Sequence, residues 1–141
     1  MRPSLRALLL VTDLGFLAYW ALTLGHVLPR AWLFRGYEDP TVAAWNLSFL
    51  PLDLVVSATG LGAVGLLRRC PAAARSLLTM SLVATSISGL QAIAFWTLRR
   101  DFDLGWWAPN LFLLAWPLPF LARLAWTAHA PERGPAHEPA T

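Results

Sequence analysis

Four stretches of this 141-residue chain, about 5–28, 42–67, 76–98 and 106–126, stay apolar over the roughly 20 residues that a helix needs to cross bilayer hydrocarbon. In that solvent every backbone N–H and C=O must be satisfied internally, so the choice narrows to helices or a closed barrel. Barrel strands are about half this length and alternate strictly, and these runs do neither. The expected fold is therefore all-α, a polytopic four-transmembrane-helix bundle over 1–126. Composition agrees: 57% of residues are hydrophobic, 13% are charged and eight are tryptophan. A water-soluble chain of this make-up would expose large apolar patches.

The charges fall between the runs. All 11 basic residues are arginines, in small groups at the run ends. That distribution suits a topology signal and not a phosphate-tracking stripe, so no nucleic-acid partner is expected. The bilayer is the expected partner, with a homodimer or another membrane protein as the further one. Arg2 and Arg6 before an apolar run imitate a secretory signal, but no A-x-A-like cleavage site follows and Asp13 interrupts the run, which predicts a retained first helix. Pro3 and Ser4 suit its start and Pro29 its end. Pro29 to Thr41 reads as a polar loop with Trp32, Phe34 and Tyr37 at headgroup depth. The Arg68-Arg69-Cys70-Pro71 cluster ends the second span. Seven arginines (2, 6, 68, 69, 75, 123, 133) fall on one side and four (30, 35, 99, 100) on the other, so both termini are expected in the cytoplasm. The tail 127–141 is proline-rich, has little to bury and is expected to be disordered. Cys70 is the single cysteine, which excludes an internal disulfide.

The second span, reading A-W-N-L-S-F-L-P-L-D-L-V-V-S-A-T-G from Ala44 to Gly60, carries the chemistry. At about 100° per residue Asn46, Phe49, Asp53, Ser57 and Gly60 share one face, and Pro51 lies on another. Pro51 cannot donate to the carbonyl of Leu47, which predicts a kink. In the first span Asp13 shares a face with Phe16 and Trp20, and Arg6 follows on that face toward the helix start. An ionised aspartate at mid-depth costs on the order of 3 kcal/mol, so Asp13 and Asp53 each need partners or a proton. Rise per residue puts Asp13 about 12 Å and Asp53 about 21 Å from the cytoplasmic ends, close enough to line one cavity without touching. The predicted site is a polar pocket of Asp13, Asn46, Asp53, Gln91 and Asn110, with Phe16, Trp20 and Phe49 as its aromatic lining. Such a pocket binds a cation, relays protons or serves as acid and base. The competing reading is helix-packing glue, Asp53 with Asn110 or Gln91, and Asp13 with Thr12, Tyr19 or Arg6.

Elsewhere the residues point to packing. Ser81, Thr85, Ser88, Gly89 and Ala92 form a small-residue face on the third span. Trp106 and Trp107 read as interface anchors, with an aromatic ligand wall as the alternative. Arg123 is expected to snorkel to headgroups. Asn110 and Pro117 in the fourth span echo Asn46 and Pro51 in the second, which hints at a repeated hairpin. His26, His129 and His137 have no metal-ligand spacing, and no HExxH, haem motif, phosphate-binding glycine loop or nucleophile elbow is present. No metal and no cofactor are expected.

The segments T-D-L-G-F (12–16), A-W-N-L-S-F-L-P-L-D-L (44–54), S-A-T-G-L (57–61), G-L-Q-A-I-A-F-W (89–96) and D-F-D-L-G-W-W-A-P-N-L-F-L-L (101–114) resemble the YvaD-like family. These are small bacterial four-span membrane proteins of unknown function, and the likeness covers about residues 5–122. It implies the bacterial cell membrane and four spans, and it carries no catalytic assignment. The functional expectation is a non-enzymatic protein that takes a small hydrophobic or cationic ligand, or a membrane partner, into the polar cavity. The alternatives are proton-coupled transport by a homodimer, similar in architecture to small four-span multidrug exporters, and an acid/base enzyme such as a lipid isomerase.

Overall fold

The structure, a computed structural model, describes residues 1–27, 36 and 38–128. Pro29, the aromatics Trp32, Phe34 and Tyr37, and the tail from His129 onward lie outside the described residues. The described residues form six helices: α1 Pro3–Leu24, α2 Pro40–Leu47, α3 Leu50–Leu66, α4 Pro71–Leu98, α5 Leu104–Ala115 and α6 Leu118–Ala128. Taken as continuous rods they give four helices long and apolar enough to cross a membrane, Pro3–Leu24, Pro40–Leu66, Pro71–Leu98 and Leu104–Trp126. The all-α fold with four candidate spans is as expected.

The boundaries shift for identifiable reasons. Proline has no N–H to lose at a helix start and its φ is already helical. Accordingly Pro3, Pro40 and Pro71 open α1, α2 and α4. Pro71, read from sequence as punctuation after the second span, is instead the first residue of the third, which therefore begins five residues earlier than expected. Asp39 caps α2 by accepting from the Thr41 amide at 2.8 Å. The first helix stops at Leu24, short of the expected Leu28. His26 takes φ +53°, its amide donates to the carbonyl of Thr23 and the Val27 amide donates to that of Leu22. That hydrogen-bond pair is a Schellman stop. The end of α4 repeats it, with Arg100 at φ +55° and the Asp101 amide donating to the Trp96 carbonyl. At the chain's other end α6 includes Thr127 and Ala128, which the sequence reading gave to the tail.

Spans two and four are each broken near a proline. The expected kink at Pro51 is a full interruption at Ser48 and Phe49, after which Pro51 occupies the first turn of α3. Pro117 sits in the corresponding break between α5 and α6. In each half of the chain a continuous helix is thus followed by a broken one, in keeping with the hinted hairpin repeat.

Packing divides the bundle into two ends. At the arginine-rich end Leu5 and Leu9 of α1, Leu82 of α4 and Trp116 form a buried, mainly aliphatic cluster, flanked by Val64, Phe120, Leu121 and Leu124. All four spans contribute to it. At the opposite end the clusters are aromatic: Trp20 with Phe49, and Trp96 with Val42, joined through Trp45. The Trp45 and Phe95 rings stack there at 3.7 Å between centroids. Small residues set the helix spacing, as predicted. Ser81, Thr85, Ser88, Gly89 and Ala92 are all buried on α4. A Cβ on Gly89 would lie 2.5 Å from the Leu114 backbone nitrogen and 2.6 Å from the Asn110 carbonyl oxygen, so α4 and α5 touch backbone to backbone. The outward faces carry Val11, Leu14, Leu54, Val83, Ile87 and Leu90 exposed, as a surface solvated by lipid requires.

Candidate functional site

The predicted face of α3 does turn inward. Asp53, Ser57 and Gly60 are buried while Pro51 is exposed. Asp53 is 4% exposed and its carboxylate is held from two sides. Trp20 Nε1 on α1 donates to Oδ2 at 2.9 Å, and Ser88 Oγ on α4 donates to Oδ1 at 3.1 Å. The indole can only donate, so its place against a carboxylate is chemically fixed. About two turns above, Asn46 and Tyr19 exchange hydrogen bonds: Nδ2 donates to the phenol oxygen at 3.1 Å, and the phenol donates to Oδ1 at 3.3 Å.

These groups border a cavity of about 220 Å³. Its polar lining is Tyr19, Asn46, Asp53, Ser88 and Asn110. The aromatic walls are Phe16, Trp20, Trp45, Phe49, Trp96 and Trp106, and Ala92, Pro109 and Leu113 complete it. Six of the eight residues singled out from sequence therefore meet in one place: Asn46, Asp53, Asn110, Phe16, Trp20 and Phe49. The Asn110 amide nitrogen donates to the carbonyl of Trp106 at 2.7 Å, leaving the side-chain oxygen unengaged among the described residues. No basic side chain is in the lining.

The other two sequence candidates are elsewhere. Gln91 is exposed. It lies two residues beyond Gly89, about 200° round the helix from the face pressed on α5, so it cannot reach Asp53. Ser88, assigned from sequence to packing, is the α4 partner that Gln91 was expected to be. Asp13 is fully buried and absent from the cavity. Its carboxylate lies against Gly60 of α3, where an added Cβ would come within 2.7 Å of Cγ. Ser57 Oγ donates to the Asp13 backbone carbonyl at 3.1 Å, and neither carboxylate oxygen has a hydrogen-bond partner among the described residues. None of the expected partners is used. The Thr12 hydroxyl is itself unpartnered, Tyr19 binds Asn46, and Arg6 faces a groove at the end of the bundle. The acid/base pairing of Asp13 with Asp53 needs both carboxyls in one pocket. The geometry excludes it.

Tyr19, Trp45, Trp96 and Trp106 were not named as lining residues from sequence, although an aromatic wall was the alternative for Trp106. Tryptophan near a span end reads by default as an interface anchor. Trp107 has a separate task, donating to the Asp101 carbonyl at 2.9 Å.

Residues 5–130 match a family described as a family of unknown function, DUF5360. The chain belongs to this family. It is also 46% identical over 112 residues to the uncharacterized protein YvaD of Bacillus subtilis strain 168, covering 79% of this chain and 84% of that one. No solved structure matches the chain. The family is bacterial and of unknown function, and this member has four candidate transmembrane helices, so it is a multi-pass protein of the bacterial membrane.

Proposed function

We propose that the chain binds a small lipophilic cation in the Asp53 cavity. The observation that carries this reading is an acceptor-only carboxylate set among aromatic faces with no basic residue in the lining. Two donors occupy Asp53, yet a carboxylate offers about four lone-pair sites, so acceptor capacity remains. Aromatic faces are negative at their centres and attract cations, by about 2 kcal/mol where water is excluded. The cavity, about 220 Å³, lies below the roughly 300–1,000 Å³ usual for drug-sized ligands, which favours a fragment-sized guest. The test compares benzyltrimethylammonium with its neutral isostere neopentylbenzene, read by quenching of tryptophan fluorescence in the reconstituted protein. The cation should bind at least about tenfold more tightly than the isostere, and Asp53→Asn should remove that preference. Equal binding of the two probes, or a preference untouched by Asp53→Asn, sinks the reading.

The same reading puts the arginine-rich end of the bundle, and with it both termini, in the cytoplasm. Among the described residues that end holds Arg2, Arg6, Arg68, Arg69, Arg75 and Arg123, against Arg99 and Arg100 at the other. Cys70 is exposed at the arginine-rich end and reports on it directly. A membrane-impermeant maleimide should leave Cys70 unlabelled in intact cells and label it after permeabilisation; labelling of intact cells reverses the orientation.

A further inference from the structure

We infer that the arginine-rich end of the bundle carries a site for the phosphate headgroup of an anionic phospholipid, in the groove between the start of α1 and the end of α3. Arg6 from α1 and Arg68 and Arg69 from the turn after α3 converge on this groove of about 520 Å³, and Val64, Gly65 and Leu67 form the rest of its lining. Each guanidinium is a planar fork that can meet a phosphate through two parallel hydrogen bonds.

Three features separate this groove from a scatter of snorkelling side chains. First, no carboxylate among the described residues answers it. The described acids outside the hydrocarbon, Glu38, Asp39, Asp101 and Asp103, belong to the opposite end of the bundle, while Asp13 and Asp53 are buried within it. Second, the turn that carries Arg68 and Arg69 is held by its own main chain. The amides of Arg69 and Cys70 both donate to the Leu66 carbonyl, at 3.0 and 2.8 Å, so main chain closes this turn, and the Arg6, Arg68 and Arg69 side chains are exposed. Third, the lining is amphipathic. Val64 and Leu67 belong to the end of an apolar span, so an anion held here has hydrocarbon beside it, as a headgroup with acyl chains does. A neighbouring groove of about 160 Å³ repeats the composition, with Arg2 and Arg123 above Leu5, Phe120 and Leu124. This inference is independent of the cation cavity, which lies at the other end of the molecule.

The experiment places the full chain in phosphatidylcholine nanodiscs doped with phosphatidylglycerol and counts the lipids retained on the protein by native mass spectrometry. Phosphatidylglycerol should be retained in preference to phosphatidylcholine. Arg6→Gln, Arg68→Gln and Arg69→Gln should each reduce that preference, by roughly fivefold per arginine. Arg99→Gln with Arg100→Gln, at the far end, should leave it unchanged. Equal retention of both lipids by the unmodified protein overturns the inference, as does a preference that survives the triple substitution. Displacement of the retained phosphatidylglycerol by inorganic phosphate also overturns it, by pointing to a soluble anion. Should the triple variant fail to fold, the unmodified protein still decides: no rise in its thermal midpoint on adding phosphatidylglycerol to phosphatidylcholine nanodiscs is a negative result.

Discussion

The seam between α1 and α3 holds two buried aspartates, and the bundle treats them in opposite ways. At one level Asp53 meets Trp20 and Ser88 and borders open volume. Seven residues along α3, about 10 Å by helix rise, Asp13 of α1 is pressed against Gly60 with neither carboxylate oxygen partnered. The register that joins Asp53 to Ser88 brings Gly60 level with Ser81, whose hydroxyl is also unpartnered. Burial alone therefore does not make a site. Asp53 has donors and space, whereas Asp13 has been granted only a glycine to lie on.

The sharpest way to break this comparison is at Gly60. Gly60→Ala drives a methyl into the Asp13 carboxylate, which is enclosed on all sides, and should cost about 2 kcal/mol in thermal or denaturant unfolding. Adding Asp13→Ala should recover most of the loss; a double variant as unstable as the single one means the two residues do not share that space. Next come the acids themselves, for which the structure requires effects of opposite sign. Asp53→Ala strands the Trp20 indole N–H and should destabilise by about 2 kcal/mol, while Asp13→Ala removes an unpartnered carboxyl and should stabilise by about 1 kcal/mol after the cost of the small void. Shifts of the same sign in the melting curves would erase the distinction.

A third carboxylate extends the comparison into water and carries the smallest effect. Asp39 caps α2, and the hydrogen bond from the Thr41 amide holds its carboxyl below the ordinary range, with Arg99 at 3.8 Å adding to this. A carboxyl depressed in the folded state contributes its stability above the unfolded pKa, near 3.9, and loses it as pH falls through the lower native value. The protein should therefore show a small acid-side loss of thermal stability that Asp39→Asn abolishes, since the amide keeps the cap without the titration. An unchanged acid limb in that variant would remove Asp39 from the account.

Much of this was legible in the chain. Apolar length gave the four spans, and the 100° step put Asn46, Phe49, Asp53, Ser57 and Gly60 on the inward face of the second. The same step on the third span turns Gln91 away from Gly89 and keeps Ser88 on the inward side, as the structure has them. The Trp20 to Asp53 bond was not legible, because it links residues 33 positions apart and depends on which helices become neighbours. The failure of Asp13 to find any partner is likewise a property of packing. Helix starts were misplaced where proline was read as a stop, since the same ring that ends one helix is the residue best suited to open the next.

The two Schellman stops have a practical consequence. His26 and Arg100 both hold a left-handed backbone that costs a residue with a side chain about 1 kcal/mol or more and costs glycine almost nothing. Neither lines the cavity or the basic grooves. Glycine at these two positions is therefore a route to a more heat-resistant protein for crystallisation, with every residue of both proposed sites left in place.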